Sequence, residues 1–453
     1  MIYTGVLLLQ GNRTFGYHGK RLLYKFLPST GNPLLVPYEL KLGFSKDIKN
    51  KYVLVRKEND TIGILVETIG DVSDLSAFYE YRLYCRGVHD SISNFTKHVR
   101  QMSFITNDRP KPDTYVFSID PAGCTDIDDA FSIYKTDHGV KLCVHIANVA
   151  CFLNTYGLWN YIRERISTIY LPDKRRTMLP PALSENRCSL LESTWRNVMT
   201  MELMIDNTGI TGEPVFRAEE VYINKNFAYE EPKLLANPNY RALLELTRQF
   251  GPKDSHDVVE HWMVYMNAKC GENLAKRKMG VFRTATILEN ADQQIIKDWN
   301  NAKCEYAAYA DDQNLAHELL GKDAYAQITS PIRRLVDTIN QQLFLYGSND
   351  TVVIWLSRMD EINQRMKAIR KVQSECEIIT KFYNEPSLME RTFAAVVFRV
   401  LDNDNAIVYV SECRWFGKMK MATRLEEGTV LNVKMYVFSD EHNTNRKIQI
   451  AMG

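Results

Sequence analysis

The stretch FSIDPAGCTDIDDAFSIY, residues 117 to 134, places four aspartates within ten positions: Asp120, Asp126, Asp128 and Asp129. The pattern predicts that one strand ends near Asp120 and that DIDDAF leads into the next strand. In an extended stretch Asp126 and Asp128 point to the same side, so with Asp120 across the turn three carboxylates can converge on one point. Carboxylates at such range repel and raise one another's pKa values, and a hard divalent cation relieves that conflict. Oxygen-only ligands favour Mg²⁺ or Mn²⁺ over zinc.

Other interpretations of this cluster are open at this point. A solvated acidic loop is the ordinary explanation of a charged run. Against it, Ile127, Ala130, Phe131 and Ile133 are interleaved with the aspartates and indicate partial burial. The D-x-D motif of a nucleotide-sugar transferase is a weaker match, and an EF-hand loop fits poorly because glycine and glutamate are missing at its sixth and twelfth positions.

The composition limits the class of protein. The chain has 453 residues, enough for two to four domains, and Lys plus Arg total 56 against 55 acidic residues, so only local patches can hold a polyanion. Its nine cysteines are odd in number and never spaced as C-x-x-C, which argues against disulfides and zinc and favours a reducing compartment. No stretch approaches the ~18 apolar residues of a membrane span. We expect a cytoplasmic protein, with a nuclear or viral setting left open.

The layout along the chain is β, then mixed, then β. Residues 1 to about 72 read as short strands that suit a small β-barrel, and a helical connector follows. A larger mixed unit begins near residue 113. Late in this unit a helix is predicted from TSPIRRLVDTINQQLFLYG, with Ser330 as its cap, Pro331 at its first position and Gly347 at its end. Residues 392 to 453 return to short strands that suit a second, five-stranded barrel.

The segment SIDPAGCTDIDDAF resembles the signature of the ribonuclease II and ribonuclease R family, known for its RNB domain. The similarity continues, in the family's order, through VHIANVACFL, STIYLPDKRRTMLPPALSENRCSLL, FAYEE, VVEHWMVYMNAKCGENLA and YAQITSPIRRLVDTINQQL, and covers residues 113 to about 345. It implies a multidomain α+β fold in which an RNB catalytic domain is flanked by small OB-fold β-barrels. The expected parts are an OB-fold, cold-shock-like domain at 1–72, a helical connector at 73–112, the RNB domain at 113–388 and a second OB-fold domain at 389–453.

The resemblance also implies roles for individual residues. Asp120, Asp126, Asp128 and Asp129 match the family's metal ligands and would hold two Mg²⁺ ions, or Mn²⁺, at the scissile phosphate, with Asp128 the least replaceable. Arg333 matches the arginine of the T-S-P-I-R motif, which presents hydrogen-bond donors to a phosphate. Its alternative is an ordinary ion pair with an acidic residue one helical turn later.

Three further residues take roles from the same alignment. Tyr229 matches a tyrosine near the scissile phosphate, and core packing is its alternative. Tyr170 matches an aromatic side chain that stacks on a base near the 3′ end. Glu260 matches a glutamate that contacts the terminal nucleotide, where a 2′-hydroxyl lets a site prefer RNA, and a solvent-facing helix charge is its alternative. Lys174, Arg175 and Arg176 would line the RNA path or form a solvated charge run.

Several positions depart from the family pattern. Asn148 stands where aspartate is usual, and Gln327 and Gln341 replace common histidines. None of the three is an expected metal ligand. The segment between Tyr229 and Glu260 is shorter than usual, which leaves the second aromatic clamp of the family unplaced.

The function implied is a processive, Mg²⁺-dependent 3′-to-5′ exoribonuclease that hydrolyses single-stranded RNA to nucleoside 5′-monophosphates. The alternative from another class is a catalytically silent RNA-binding or regulatory protein that retains the RNB fold. The expected partner is the 3′ end of single-stranded RNA. We expect a monomer without a membrane partner, with assembly into a larger RNA-processing complex left open.

Overall fold

The computed structural model describes residues 1–40, 48–105, 109–137, 139–162, 165–286, 304–421, 425–441 and 446–453. Three β-rich units follow one another along these ranges, and helices pack between them. Within the described ranges no helix is both long and apolar enough to cross a membrane. The predicted multidomain α+β architecture is confirmed, with a closed barrel in the C-terminal unit and a six-stranded sheet in the N-terminal unit. The domain boundaries stay a prediction.

The first unit is a six-stranded sheet in the order β2-β3-β1-β5-β6, with β4 paired to β3. Its strands are β1 Ile2–Leu7, β2 Tyr17–His18, β3 Arg21–Pro28, β4 Leu34–Tyr38, β5 Lys51–Lys57 and β6 Gly63–Asp71. Alternate side chains point inward, and Tyr24, Phe26, Val53 and Val55 form the centre of a separate small core.

Helices α1 (Leu75–Cys85) and α2 (Ser93–Arg100) connect this sheet to the central unit. The side chain of Asp74 caps α1 by accepting from the Ser76 amide at 2.9 Å. The ring of Tyr81 stacks on Tyr52 of β5, with centroids 4.2 Å apart. The connector is therefore fixed to the first unit through buried aromatic rings.

The central unit is built on a closed barrel in the order β12-β13-β7-β8-β9. The strands of this unit are β7 Val116–Asp120, β8 Asp129–Thr136, β9 Gly139–Ala147, β10 Ile169–Tyr170, β11 Arg175–Arg176, β12 Thr194–Asp206, β13 Gly209–Ala228, β14 Val281–Thr284 and β15 Glu305–Ala308. The long β12–β13 hairpin returns β13 parallel to β7, with Ala228 opposite Asp120. That register places the end of β13 beside the first aspartate of the cluster.

Among the described residues, the central part of the chain contains seven α-helices: α3 Val149–Thr155, α4 Pro232–Ala236, α5 Pro238–Arg248, α6 Ser255–Lys276, α7 Leu335–Leu345, α8 Asp350–Leu356 and α9 Met359–Asn384. The apolar face of α6 packs on the barrel, where Trp262 and Met266 contact a core that includes Phe117 and Phe131. The barrel interior is thereby closed on this side.

The predicted start of α7 is wrong. The helix begins at Leu335, and Ser330 and Pro331 lie in a turn before it. Residues 333–335 pair instead with residues 166–168, because the Thr168 amide donates to the Arg333 carbonyl at 2.9 Å and the Leu335 amide donates to the Ile166 carbonyl at 2.9 Å. This tertiary pairing holds Arg334 in an extended conformation, which a helix start at Ser330 would not allow.

The last unit is a closed barrel in the order β16-β17-β18-β20-β19. Its strands are β16 Phe393–Asp402, β17 Asn405–Val410, β18 Trp415–Lys420, β19 Val430–Ser439 and β20 Arg446–Met452. The core of this barrel also includes Ile378 and Phe382 of α9, so the barrel is fixed to the end of that helix. The prediction of a five-stranded C-terminal barrel is confirmed.

Candidate active site

The aspartate cluster lies at one edge of the central barrel. Asp120 ends β7, Asp129 begins β8, and Asp126 and Asp128 occupy the connection between them. The connection is held by backbone contacts, because the Ile127 amide donates to Ser189 Oγ at 2.9 Å and the Asp128 carbonyl accepts from the Ala147 amide at 2.8 Å. The carboxylates therefore stand on a rigid scaffold.

Burial raises the pKa of these carboxyl groups. The pKa of Asp128 is raised to about 7 by desolvation, which Arg333 and the Ile332 amide partly oppose. The pKa of Asp120 is raised to about 6 by desolvation, against Ser118 and Arg333. For Asp129, desolvation and then the charges of Asp120 and Asp128 raise the pKa well above its ordinary value. The site thus penalises uncompensated negative charge and favours a cation.

Two of the four carboxylates already have a cationic partner. Asp128 Oδ1 accepts from the Ile332 amide at 3.0 Å, and its Oδ2 lies 3.3 Å from Arg333 Nε. Asp126 forms an ion pair with Arg175. The other two carboxylates differ, because Asp120 Oδ2 and Asp129 Oδ2 are buried without a hydrogen-bond partner.

These residues fit a hard divalent cation. Buried oxygens without partners on Asp120 and Asp129, beside two more carboxylates, make an oxygen-only donor set of the kind that Mg²⁺ and Mn²⁺ prefer. In the part of the chain that the structure describes, no three His, Cys, Asp or Glu side chains are arranged to hold a metal ion as they stand. The four-aspartate metal site therefore stays a prediction.

Arg333 reaches the cluster from the turn that precedes α7. Its carbonyl accepts from Ser167 Oγ at 3.1 Å, and its Nη2 donates to Ser330 Oγ at 3.1 Å. The ion pair with an acidic residue one turn later is formed by Arg334 instead, whose Nη2 lies 2.8 Å from Asp337 Oδ1. Arg333 is therefore free of that structural role, and 48% of its side chain remains exposed at the site.

The two tyrosines singled out in the sequence lie on the borders of the same site. Tyr170 ends β10 and remains 43% exposed, and its pKa is raised by burial against the nearby Arg333. Tyr229 follows β13, and its amide donates to the Asp120 carbonyl at 3.0 Å. Burial and the charges of Asp129 and Asp120 raise its pKa. The structure thus brings both tyrosines, Arg333 and the aspartates together.

Tyr229 is held by a contact that the sequence did not reveal. Its ring stacks on His256, with centroids 3.7 Å apart and planes 10° apart. The next residue, Glu230, has φ 55° and accepts from the Ser255 amide at 2.8 Å at the start of α6. The strained Glu230 backbone and this hydrogen bond fix the tyrosine against the helix.

Glu260 is not brought into this group. It lies exposed on α6, and among the described residues it forms no hydrogen bond or ion pair with the aspartates or with Arg333. Its expected contact with the terminal nucleotide stays a prediction.

The three departures from the family pattern have structural roles. Asn148 caps α3 by accepting from the Cys151 amide at 2.9 Å and donates to the Tyr346 hydroxyl. Gln327 accepts from the Tyr306 hydroxyl at 2.6 Å, and Gln341 donates to the Ala147 carbonyl at 2.8 Å. These amides therefore support the packing around the site.

Arg175 is a site residue for which the sequence predicted at most a place along the RNA path, and not a contact with the aspartates. In β11 it pairs across the strands with Tyr170, and its guanidinium reaches Asp126, Thr125 and Glu185. The basic run that follows Tyr170 was the available signal, but the spacing alone does not tell which of its members turns inward.

The chain is similar to known proteins in sequence and in fold. Residues 112–239 match the family model of the RNB domain. Exoribonuclease 2 of Psychromonas ingrahamii is 25% identical over 420 residues, covering 72% of this chain and 63% of the relative. The structure of Mycoplasma genitalium RNase R in complex with ribose methylated single-stranded RNA superposes with a TM-score of 0.72 at 16% identity, covering 99% of this chain and 89% of the other.

A further solved structure shares this fold. The structure of yeast Ssd1, a pseudonuclease, superposes with a TM-score of 0.64 at 13% identity, covering 92% of this chain and 65% of the other. At such identities the structural matches show a shared fold alone. The chain spans about half to two thirds of the length of the curated relatives it matches.

Proposed function

We propose that this chain, whose residues 112–239 match the family model of the RNB domain, is a processive, Mg²⁺-dependent 3′-to-5′ exoribonuclease that releases nucleoside 5′-monophosphates from single-stranded RNA. The observation that carries the proposal is the meeting of four buried or half-buried aspartates with Arg333 at one edge of the barrel. Relatives named exoribonuclease support the same reaction class.

In this proposal Asp120, Asp126, Asp128 and Asp129 hold the metal, and Mn²⁺ would serve in place of Mg²⁺. The chemistry that ions held there would supply is activation of water and neutralisation of charge on the leaving 3′ oxygen. The chain's own contribution is a rigid set of oxygens, because the strand ends and the backbone contacts around Ile127 and Asp128 fix the carboxylates before substrate arrives.

Arg333 and Tyr229 are the other proposed catalytic residues. The half-exposed guanidinium of Arg333 is tied to Asp128 on one side and presents its remaining donors to the site, where a phosphate oxygen would accept them. The Tyr229 hydroxyl keeps its proton at neutral pH, because burial and two nearby carboxylates raise its pKa. It can therefore donate a hydrogen bond to the scissile phosphate.

Recognition of the 3′ end is assigned to Tyr170, Glu260 and Arg333. The exposed ring of Tyr170 offers a stacking surface that any base can use, which suits an enzyme without sequence preference. Single-stranded RNA is the ligand bound by the Mycoplasma genitalium RNase R that shares this fold. The likeness supports RNA as the substrate class here.

The pseudonuclease among the structural neighbours makes a silent RNA-binding protein the second candidate. A protein that loses activity is expected to lose metal ligands first, and this chain retains all four aspartates and Arg333. We therefore favour the enzyme.

Digestion of an oligoribonucleotide, labelled at the 5′ end in one reaction and at the 3′ end in another, tests the proposal. With Mg²⁺ the 3′ label is expected to leave at once as a mononucleotide, while the 5′-labelled RNA shortens progressively. EDTA and D128N should each stop both changes. RNA that is shifted on a native gel but never shortened would instead establish the silent binder.

A further inference from the structure

We propose that Arg175 is a built-in cation of the site that competes with the divalent metal for Asp126 and keeps only its contact with Glu185 when the metal binds. The inference rests on the proposed metal-dependent function and adds a residue to it.

The position of Arg175 is set by a small hairpin. Strands β10 and β11 are only two residues long each and pair Ile169 with Arg176 and Tyr170 with Arg175. Arg176 is anchored away from the cluster by Glu80 and Asp173. Arg175 points the other way, so its guanidinium reaches the connection that carries Asp126.

The guanidinium has two carboxylate partners. One terminal nitrogen, Nη1, pairs with Asp126, and the other, Nη2, lies 2.7 Å from Glu185 Oε1 and also contacts Thr125. Asp126 is only 7% exposed, whereas Glu185 is 35% exposed. The arginine therefore connects a buried acid of the cluster with an acid on its rim.

The two carboxylate partners of Arg175 differ in their distance from the proposed metal site, because Asp126 belongs to the aspartate cluster and Glu185 lies outside it. Asp126 lies next to Asp128 in the cluster, and a cation is needed there because like charges in a buried site repel. Glu185 lies in a five-residue π-helical turn, Leu183–Arg187, outside the cluster. A metal bound by Asp126 would repel a guanidinium on the same carboxylate, and Glu185 already offers that guanidinium a second partner.

The contact between Arg175 and Asp126 thus lowers the apparent affinity for the metal. It also keeps Asp126 neutralised and ordered before the metal arrives, in the place that the metal requires. Because coupling between two binding events is reciprocal, a change that weakens the ion pair between Arg175 and Asp126 must increase the affinity of Asp126 for the metal. Glu185 acts only through Arg175 and is a positioning residue.

Mn²⁺ and Mg²⁺ titrations of the purified chain, followed by calorimetry and by the shift in thermal unfolding, measure this competition without any turnover. R175Q should lower the metal concentration at half saturation about fivefold or more. E185Q should raise it, because the displaced guanidinium loses its second partner. In the R175Q background E185Q should have little further effect.

K174Q is the matched control. It removes a positive charge from the residue next to Arg175, and the Lys174 side chain forms no ion pair with any described residue. Its half-saturation concentration should stay within about twofold of wild type. R175K, which keeps the charge without the forked geometry, should fall between wild type and R175Q. Circular dichroism of each variant verifies that it folds.

The outcomes separate the inference from the function on which it rests. If wild type binds the metal and R175Q binds it equally or more weakly, Arg175 does not compete and the inference is wrong. If E185Q acts equally in both backgrounds, its effect is not transmitted through Arg175 and the role of Glu185 is wrong. If wild type binds neither metal, the metal-dependent function itself fails.

Discussion

Arg333 Nε lies 3.3 Å from Asp128 Oδ2, and the amide of the preceding residue donates to Oδ1 of the same carboxylate at 3.0 Å. The turn before α7 is thereby joined to the loop between β7 and β8 through both oxygens of one buried side chain. Its neighbour Arg334 pairs with the fully buried Asp337 instead. Two adjacent arginines therefore have separable roles, one facing the site and one inside the protein.

Substitution of the two arginines should separate catalysis from stability. R333Q should lower RNA hydrolysis about 100-fold, because its half-exposed side chain contributes charge to the site. Its thermal midpoint should fall less than that of R334Q, because the pKa of Asp128 is already raised to about 7 and this carboxyl group can take up a proton once its partner is gone. R334Q should lower the free energy of unfolding by about 3 kcal/mol, because it leaves the Asp337 carboxylate buried without its ion pair. Equal losses of stability in both variants would contradict this division.

Replacing Asp128 with asparagine should abolish activity without unfolding the chain. D128N should reduce hydrolysis at least about 100-fold, since the charged oxygen needed at the site is gone. Its thermal midpoint should stay equal or rise, because a buried carboxyl group with a raised pKa is replaced by a neutral amide that can still accept from the Ile332 amide. The exposed D137N, in the turn between β8 and β9, is the control and should leave both quantities unchanged.

Tyr170 should bind RNA through its ring, and its hydroxyl, which lies beside Arg333, should contribute little to that binding. Y170A should raise KM for a single-stranded oligoribonucleotide about tenfold, as expected for one lost base stack of ~1 to 3 kcal/mol, with little change in kcat. Y170F keeps the ring and should behave as wild type. Steady-state kinetics of both variants verify the assignment, and a Y170F enzyme as weak as Y170A would show that the hydroxyl carries the effect.

His145 should make the fold acid-sensitive. It is buried in the barrel wall with ring nitrogens 2.9 Å from Ser132 Oγ and 2.8 Å from Thr200 Oγ1, and burial lowers its pKa to about 4, with Arg217 adding to the shift and Glu219 opposing it. The pKa of this imidazole is about 6.5 in the unfolded chain. At pH values between about 4 and 6.5 the unfolded chain therefore binds a proton that the folded chain does not, and the free energy of unfolding decreases as the pH falls. Between pH 7.5 and 5.0 this group should lower the free energy of unfolding by about 2 kcal/mol.

Chemical unfolding of wild type and H145Q at the two pH values isolates this effect. Carboxyl groups titrate in both proteins, so the difference between the two pH responses belongs to His145. The variant should lose about 2 kcal/mol less than wild type on acidification. An identical loss in both proteins would mean that His145 titrates alike in the folded and unfolded states.

Local patterns in the sequence predicted much of the fold. The alternation of short strands predicted barrels at both ends, and the spacing of Asp120, Asp126 and Asp128 predicted carboxylates at a strand connection. The start of α7 was predicted wrongly, because the pairing of residues 333–335 with 166–168 overrides the local signals of Ser330 and Pro331. Such pairing depends on residues far away in sequence, which no local pattern contains.

The contacts within the site also could not be predicted from local sequence patterns. Arg333 was assigned through a resemblance, since nothing in its own helix pattern distinguishes it from Arg334. Arg175 and His256 received no specific role, because the first depends on the register of a two-residue strand pair and the second on the meeting of β13 with α6. Side chains brought together only by tertiary packing leave no periodic trace in the sequence.

Diffraction from crystals grown with Mn²⁺ will show whether the aspartates between β7 and β8 hold a divalent metal. We expect an anomalous peak within about 2.2 Å of oxygens from Asp120 and Asp129, with Asp126 released from Arg175. Crystals of D128N provide the comparison. Strong Mn²⁺ peaks elsewhere, with none at these carboxylates and the Arg175 contact to Asp126 intact, would contradict this expectation.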